Sequence, residues 1–200
     1  MASSKKGISA HQLHRTIQVT YKTAWFMAHR IRESMRDAAP TPLGGEGKIV
    51  ESDETYWGAK DRDTDPTRNK KRKGKPGPGG KSKVLTLVER NGRARSFKLD
   101  DFRNDTVQRV LLDNASAASR LMTDEGTAHQ WGFASHETVK HGSSEYARGD
   151  VSTNTVEGFF SVFKRGMRGT YQHCGSQHLQ RYLDEFDFRY SNRAALGVDD

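Results

Sequence analysis

The sequence predicts an α/β fold, a mixed sheet flanked by helices and preceded by a small helix-turn-helix segment. Three observations carry that expectation. The runs Ser82 to Glu89 and Arg93 to Leu99 lie either side of Asn91-Gly92, a dipeptide that favours a tight hairpin turn. Further along, Val156, Phe159, Phe160 and Phe163 recur at i, i+3, i+4 and i+7, one stripe of an amphipathic helix. Between them a helical stretch from Thr106 to Ala115 leads into a short apolar run, Leu121 to Asp124, that reads as a strand returning parallel to the first.

The elements follow in order. Ile8, Leu13 and Ile17 fall near helical spacing, Gln18-Val19-Thr20 makes a turn, and Thr20 is placed to cap a helix from Tyr21 to Met35. In that helix Ala24, Met27, Ala28, Ile31 and Met35 are expected to form the apolar face, with Lys22, His29, Arg30, Arg32 and Arg36 as basic positions. A short helix, a three-residue turn and a longer basic helix is the pattern of a helix-turn-helix whose second helix fits a major groove. An ordinary helical hairpin packed on a larger domain shares the pattern. Residues 1–38 are assigned to this segment and 39–47, with Pro40, Pro42, Gly44 and Gly45, to a linker. The remainder, 48–196, reads as one domain: a strand at 48–57, a flexible basic loop at 60–83, the two hairpin strands, the helix and fourth strand, and helices at 153–167 and 176–192.

Composition limits what such a chain does. Its 200 residues carry 33 Lys+Arg against 25 Asp+Glu, a net charge of +8, and 33% hydrophobic residues. Arg68, Lys70, Lys71, Arg72, Lys73, Lys75, Lys81 and Lys83 fall in one Gly/Pro-rich stretch without an acid, so this stretch alone matches the net charge. Cations on such a loop neutralise phosphates without reading sequence, on DNA or RNA alike; a solvated linker is the alternative. Cys174 is the single cysteine, which excludes an internal disulfide and fits a reducing cytosol. His173 and His178 flank it, but without a second thiolate a zinc site is not expected there. No apolar run reaches the ~20 residues that span a bilayer.

The chemistry-bearing residues are acidic. Glu51-Ser52-Asp53-Glu54 ends a strand, Thr123-Asp124-Glu125-Gly126 ends another, and Glu157 and Lys164 stand seven residues apart on the striped helix, about 10 Å along one face. Hard carboxylate oxygens of this kind suit Mg²⁺. The helix alone is equally readable as a solvated amphipathic helix.

Glu51 through Tyr56, Thr123 through Gly126, His141 through Tyr146, Thr153 through Gly169, His178 through Phe186 and Phe188-Arg189-Tyr190 together resemble the bacterial insertion-sequence transposases of the DDE type, specifically the ISXO-like group. The resemblance covers roughly residues 7 to 198. It implies an RNase H-like catalytic domain and metal-dependent DNA cleavage and strand transfer with two Mg²⁺ (or Mn²⁺) ions. It implies Asp53, Asp124 and Glu157 as the metal-binding triad and Lys164 as the accompanying basic residue, with Asn154 and His141 as additional candidates. Glu54 and Glu125 compete for ligand roles, since strand alternation aims only one of each neighbouring pair inward. Lys22, Arg30, Lys70, Lys71, Arg72, Lys73, Arg165 and Arg168 are expected to meet DNA, and Tyr56 and Trp57 either to stack on a base or to pack on the sheet. The implied partners are double-stranded DNA, at the element's ends and at the target, and further copies of the chain; no membrane is implied. The implied location is the bacterial cytoplasm, at the nucleoid. Members of this group carry a zinc ribbon ahead of the helix-turn-helix, whereas this sequence opens near the latter, so end recognition is expected to be incomplete. Two other readings remain open: a truncated or domesticated DNA-binding remnant without catalysis, and another RNase H-like nuclease.

Overall fold

In the computed structural model, residues 6–58, 81–124, 132–139 and 148–193 are described. Lys70, Lys71, Arg72, Lys73, Glu125 and His141 lie outside them. The helical pair comprises α1 (Ala10–Ile17) and α2 (Tyr21–Ser34). There follow β1 (Ile49–Trp57), β2 (Ser82–Glu89), β3 (Ala94–Leu99), α3 (Asn104–Asn114), β4 (Arg120–Asp124), β5 (Ser135–Val139), α4 (Asn154–Gly166) and α5 (Leu179–Ser191). A π-helical turn, Met167–Tyr171, continues α4.

The five strands form one sheet in the order β3-β2-β1-β4-β5. β1, β2 and β3 are an antiparallel meander, and β4 and β5 run parallel to β1. This is the mixed sheet of the RNase H-like fold, with helices on both faces. Alternation along each strand sorts the side chains. On one face Val84, Val88 and Ala94 pack under Val156, Phe159, Phe160 and Phe163 of α4 and Leu179, Tyr182, Leu183 and Phe186 of α5. On the other, Val50, Leu85, Leu87 and Leu121 pack against Val107 and Leu111 of α3. β2 is therefore covered on both sides, which is why its last six residues are all buried. Gly166 lets α4 and α5 approach closely, since a Cβ there would stand 2.5 Å from the Phe186 ring.

β3 is a sheet edge, and α5 seals it with side chains. Ala94 N–H donates to Ser191 Oγ at 3.1 Å, Ser96 N–H to Asp187 Oδ2 at 2.7 Å and Lys98 N–H to Gln180 Oε1 at 2.8 Å. Gln180 Nε2 returns a bond to the Ser96 carbonyl at 2.9 Å. One face of a helix thus takes the place of a sixth strand and removes a template for edge pairing. Burial pushes the Asp187 carboxyl up to about 7 against the pull of its two bonds from Ser96; Asp184 adds to the push and Arg95 opposes it. A carboxyl whose folded pKa is raised contributes stability at low pH that is lost as pH rises through that value. Asp187→Asn, which mimics the protonated acid, is expected to gain in melting temperature relative to the parent as pH rises from about 5 to about 8. A variant-minus-parent difference that stays flat across that range would contradict the assignment.

The N-terminal pair forms as the sequence predicts. Ser9 Oγ accepts from Gln12 N–H, Thr20 Oγ1 from Thr23 N–H, and Gln18 takes the left-handed conformation that ends α1. The buried face of α2 differs from the expected one. Ala24, Ala28, His29 and Arg32 are buried, while Met27 is 38% exposed. The helix docks on α5 along positions 24, 28 and 32, and Arg32 is accommodated there because Tyr171 and Tyr182 flank its guanidinium at 5.0 and 4.2 Å and Glu185 pairs with it. Leu43, expected in a linker, is fully buried: its N–H donates to the Asn114 carbonyl, and its carbonyl accepts from Ser116. β5 escapes the sequence reading because four of its five residues are only half-buried, which leaves no apolar alternation to detect. Among the described residues no helix is long and apolar enough to cross a membrane.

Candidate active site

Two aspartates come together through strand register. β1 and β4 pair in parallel up to Ser52 opposite Thr123, so Asp53 and Asp124 are the next residues in step on neighbouring strands and project from the same face. That face is the one α4 covers, because Trp57, four residues on from Asp53, meets Phe163 of α4 at 5.5 Å between ring centroids. Glu54 belongs by alternation to the opposite face with Tyr56, which meets Phe102 at 5.4 Å. The Glu54 carboxyl is pushed up to about 7 by burial and then by the charges of Asp124 and Asp53. The strand ends are thus a crowd of carboxylates, an arrangement that a divalent cation relieves.

The third predicted carboxylate, Glu157, stands exposed in the first turn of α4 and accepts a hydrogen bond from Thr153 Oγ1 at 3.0 Å. Among the described residues no three His, Cys, Asp or Glu side chains converge as a cation site. The candidate donors, two aspartates on paired strands and Glu157 on the helix that covers their face, are all hard oxygen, as Mg²⁺ or Mn²⁺ requires. Beyond Glu157 the outer face of α4 turns basic. Ser161, Lys164, Arg165, Arg168 and Gly169 line an open hollow of about 550 Å³. Lys164 makes no ion pair among the described residues, and its ammonium lies over the Phe160 ring at 5.6 Å. The cations sit at the helix's C-terminal end, where its dipole favours them.

The N-terminus of α4 is held from the sheet by a residue the sequence reading passed over. Glu51 is fully buried on the same face as Asp53. Its carboxylate accepts from Thr155 N–H at 2.8 Å, Val156 N–H at 3.1 Å and Thr155 Oγ1 at 2.8 Å. Arg90 Nε donates to it at 2.5 Å, and the same guanidinium reaches the carbonyls of Asp150 and Ser152 and the Ser152 hydroxyl. The available signal was position: a carboxylate two residues before Asp53 shares its strand face and had to find partners there.

Other candidates are placed as follows. Asn154 is the exposed first residue of α4. Lys22 and Arg30 are exposed on α2, with Arg30 over the Phe26 ring at 5.1 Å. Burial pushes the Cys174 thiol up to about 11, away from the thiolate a metal would need, and His178 packs instead on the rings of Trp25 and His29. Arg189 pairs with Glu185 at 2.8 Å, Arg181 with Glu33 at 3.0 Å, and Arg193 donates to the Gly92 carbonyl at 3.1 Å. These three arginines brace the helical layer.

The chain is 28% identical over 192 residues to a protein of Halobacterium salinarum described as an uncharacterized protein in transposable element ISH50; the match covers 90% of this chain and 64% of that relative's length. Among solved structures, a chain of the simian T-cell lymphotropic virus intasome in complex with PP2A regulatory subunit B56 gamma aligns with 88% of this chain and 67% of its own length, at 13% identity and a TM-score of 0.39. The model of the ISXO2-like transposase domain matches residues 42–191, from Pro42, just ahead of the buried Leu43, to the end of α5, and the chain belongs to that family.

Proposed function

We propose that this chain is a DDE-type transposase that cleaves DNA at the ends of an insertion sequence and joins them to target DNA. The observation that carries the reading is the pair Asp53 and Asp124, in step on adjacent parallel strands and facing the helix that bears Glu157. In this reading Asp53, Asp124 and Glu157 hold divalent cations. Two such ions supply activation of an attacking water or 3′-hydroxyl and stabilisation of the leaving oxygen. The chain's own residues do the rest. Lys164, Arg165 and Arg168 bind phosphates flanking the scissile bond as point charges or forks. Asn154, exposed beside Glu157, is an additional polar ligand. Lys22 and Arg30 on α2, and the basic run Lys70, Lys71, Arg72 and Lys73, add backbone contacts to duplex DNA, so α1 and α2 act as the DNA-binding segment. His141 orients a water or phosphate. More than one copy of the chain assembles on the two ends of the element, in the cytoplasm.

The test is to incubate the purified protein with DNA spanning its own gene and flanks, with Mg²⁺ or Mn²⁺ and with chelator. Metal-dependent nicks at defined ends are expected. Nicks at random positions would leave a nuclease centre without end recognition. A folded protein that binds this DNA but never nicks it in either metal would replace the reading by a binding role.

A further inference from the structure

Glu51 and Arg90 take no part in the chemistry just proposed, yet both are committed to one task. We propose that they form a positioning pair that sets Glu157 against Asp53 and Asp124, an inference that rests on the carboxylate reading above. A helix leaves its first N–H groups without partners inside the helix, and a side chain at the cap position commonly satisfies them. In α4 the cap residue Thr153 makes no such bond; its hydroxyl goes to Glu157 instead. The N–H groups of Thr155 and Val156 end on Glu51, a residue of β1.

The origin of the cap matters. A cap from the neighbouring chain fixes only how a helix begins. A cap from β1 fixes the height and rotation of α4 relative to the strand that carries Asp53. Glu157 lies in the same helical turn, one residue after Val156. Arg90, from the turn after β2, closes the other side. It binds Glu51 and, through the Asp150 and Ser152 carbonyls, the residues that lead into α4. A buried ion pair is a weak source of net stability, but its hydrogen bonds are directional, and here each points at the backbone that places the third carboxylate.

The experiment follows Mn²⁺ rather than turnover alone. Binding of Mn²⁺ to the DNA-free protein is measured by electron paramagnetic resonance, and half-maximal Mn²⁺ for cleavage is measured beside it. Glu51→Gln, which keeps the shape but loses acceptors and charge, is expected to raise both by about 10-fold or more, as loss of a group orienting a metal ligand does. Thr155→Val, which removes one hydroxyl donor, is expected to shift both in the same direction by less. DNA affinity should stay at the parent's value in both, since the basic end of α4 is not held by Glu51. If both variants are folded and bind and use Mn²⁺ as the parent does, the proposal is overturned; if Glu51→Gln does not fold, Thr155→Val decides. Asp53→Asn separates the two readings. Unchanged Mn²⁺ binding in Asp53→Asn removes the carboxylate site itself, whereas loss there with none in Glu51→Gln removes only the positioning role.

Discussion

Replacing Glu185 by alanine is expected to destabilise the protein by about 3–5 kcal/mol, the cost of leaving buried charge without its partner. Glu185 is fully buried and joins three elements. Arg32 of α2 donates to Oε2 at 2.7 Å, while Tyr171 of the π-helical turn and Arg189 of α5 donate to Oε1 at 2.6 and 2.8 Å. The side chains of Arg32 and Arg189 are only 2% and 6% exposed, so the truncation takes a carboxylate partner from two guanidiniums that are almost wholly out of solvent. For a chain of this size the loss corresponds to a fall in melting temperature of roughly 6–20 °C. It should be spatially uneven, because α2 meets the rest of the molecule chiefly through α5. Hydrogen exchange in Glu185→Ala is expected to lose protection first in α1 and α2. A melting temperature within about 2 °C of the parent would show that solvent or neighbouring acids take over the pairing. The consequence reaches function: Lys22 and Arg30 are carried by the helix that Glu185 anchors, so the variant should also bind DNA more weakly, although the loss of a negative charge would by itself favour binding.

The same residues show where sequence reasoning stops. Helix and strand existence was legible because it rests on local periodicity: the Phe stripe of α4, the Asn91-Gly92 hairpin and the Thr20 cap all stand where the pattern puts them. The aspartate pair was legible as two acids at two strands, but their meeting is a matter of register between segments some seventy residues apart, which periodicity does not encode. The choice between Asp53 and Glu54 rests on the family resemblance, because which strand face meets α4 is again a tertiary fact. Arg32 and His29 read as basic positions and are instead buried, Arg32 because a carboxylate and two tyrosines more than a hundred residues away receive its charge, His29 as a ring whose pKa burial first, and then the charge of Arg32, lowers to about 4. In the sequence Glu51 stands only as one acid of an acidic strand. A buried acid is distinguishable from a ligand acid only once its donors are known, and those lie on α4 and after β2.

Asp53→Asn and Asp124→Asn are each expected to reduce metal-dependent cleavage to background while raising the stability of the metal-free protein. The two effects have one cause. Without a cation the strand ends hold like charges in a half-buried setting: burial, and then the charges of Asp124 and Asp53, push the Glu54 carboxyl up to about 7. Asparagine keeps the shape and removes a charge, so it relieves repulsion; with metal present it removes a ligand oxygen that carries charge, so it weakens the site. Mn²⁺ should therefore raise the melting temperature of the parent, by an amount equivalent to about 2.7 kcal/mol at a hundred times its dissociation constant, and should raise that of either variant far less. Glu157→Gln should lose cleavage as well but leave the metal-free stability close to the parent's, because Glu157 is exposed and stands outside the strand pair. DNA binding should be nearly unchanged in all three, since the cations of α4 and α2 remain. The pattern is more discriminating than loss of activity alone, which any damaged fold would give. An aspartate variant that is less stable than the parent without metal, or that gains as much from Mn²⁺, would mean that these carboxylates hold the sheet together rather than a cation.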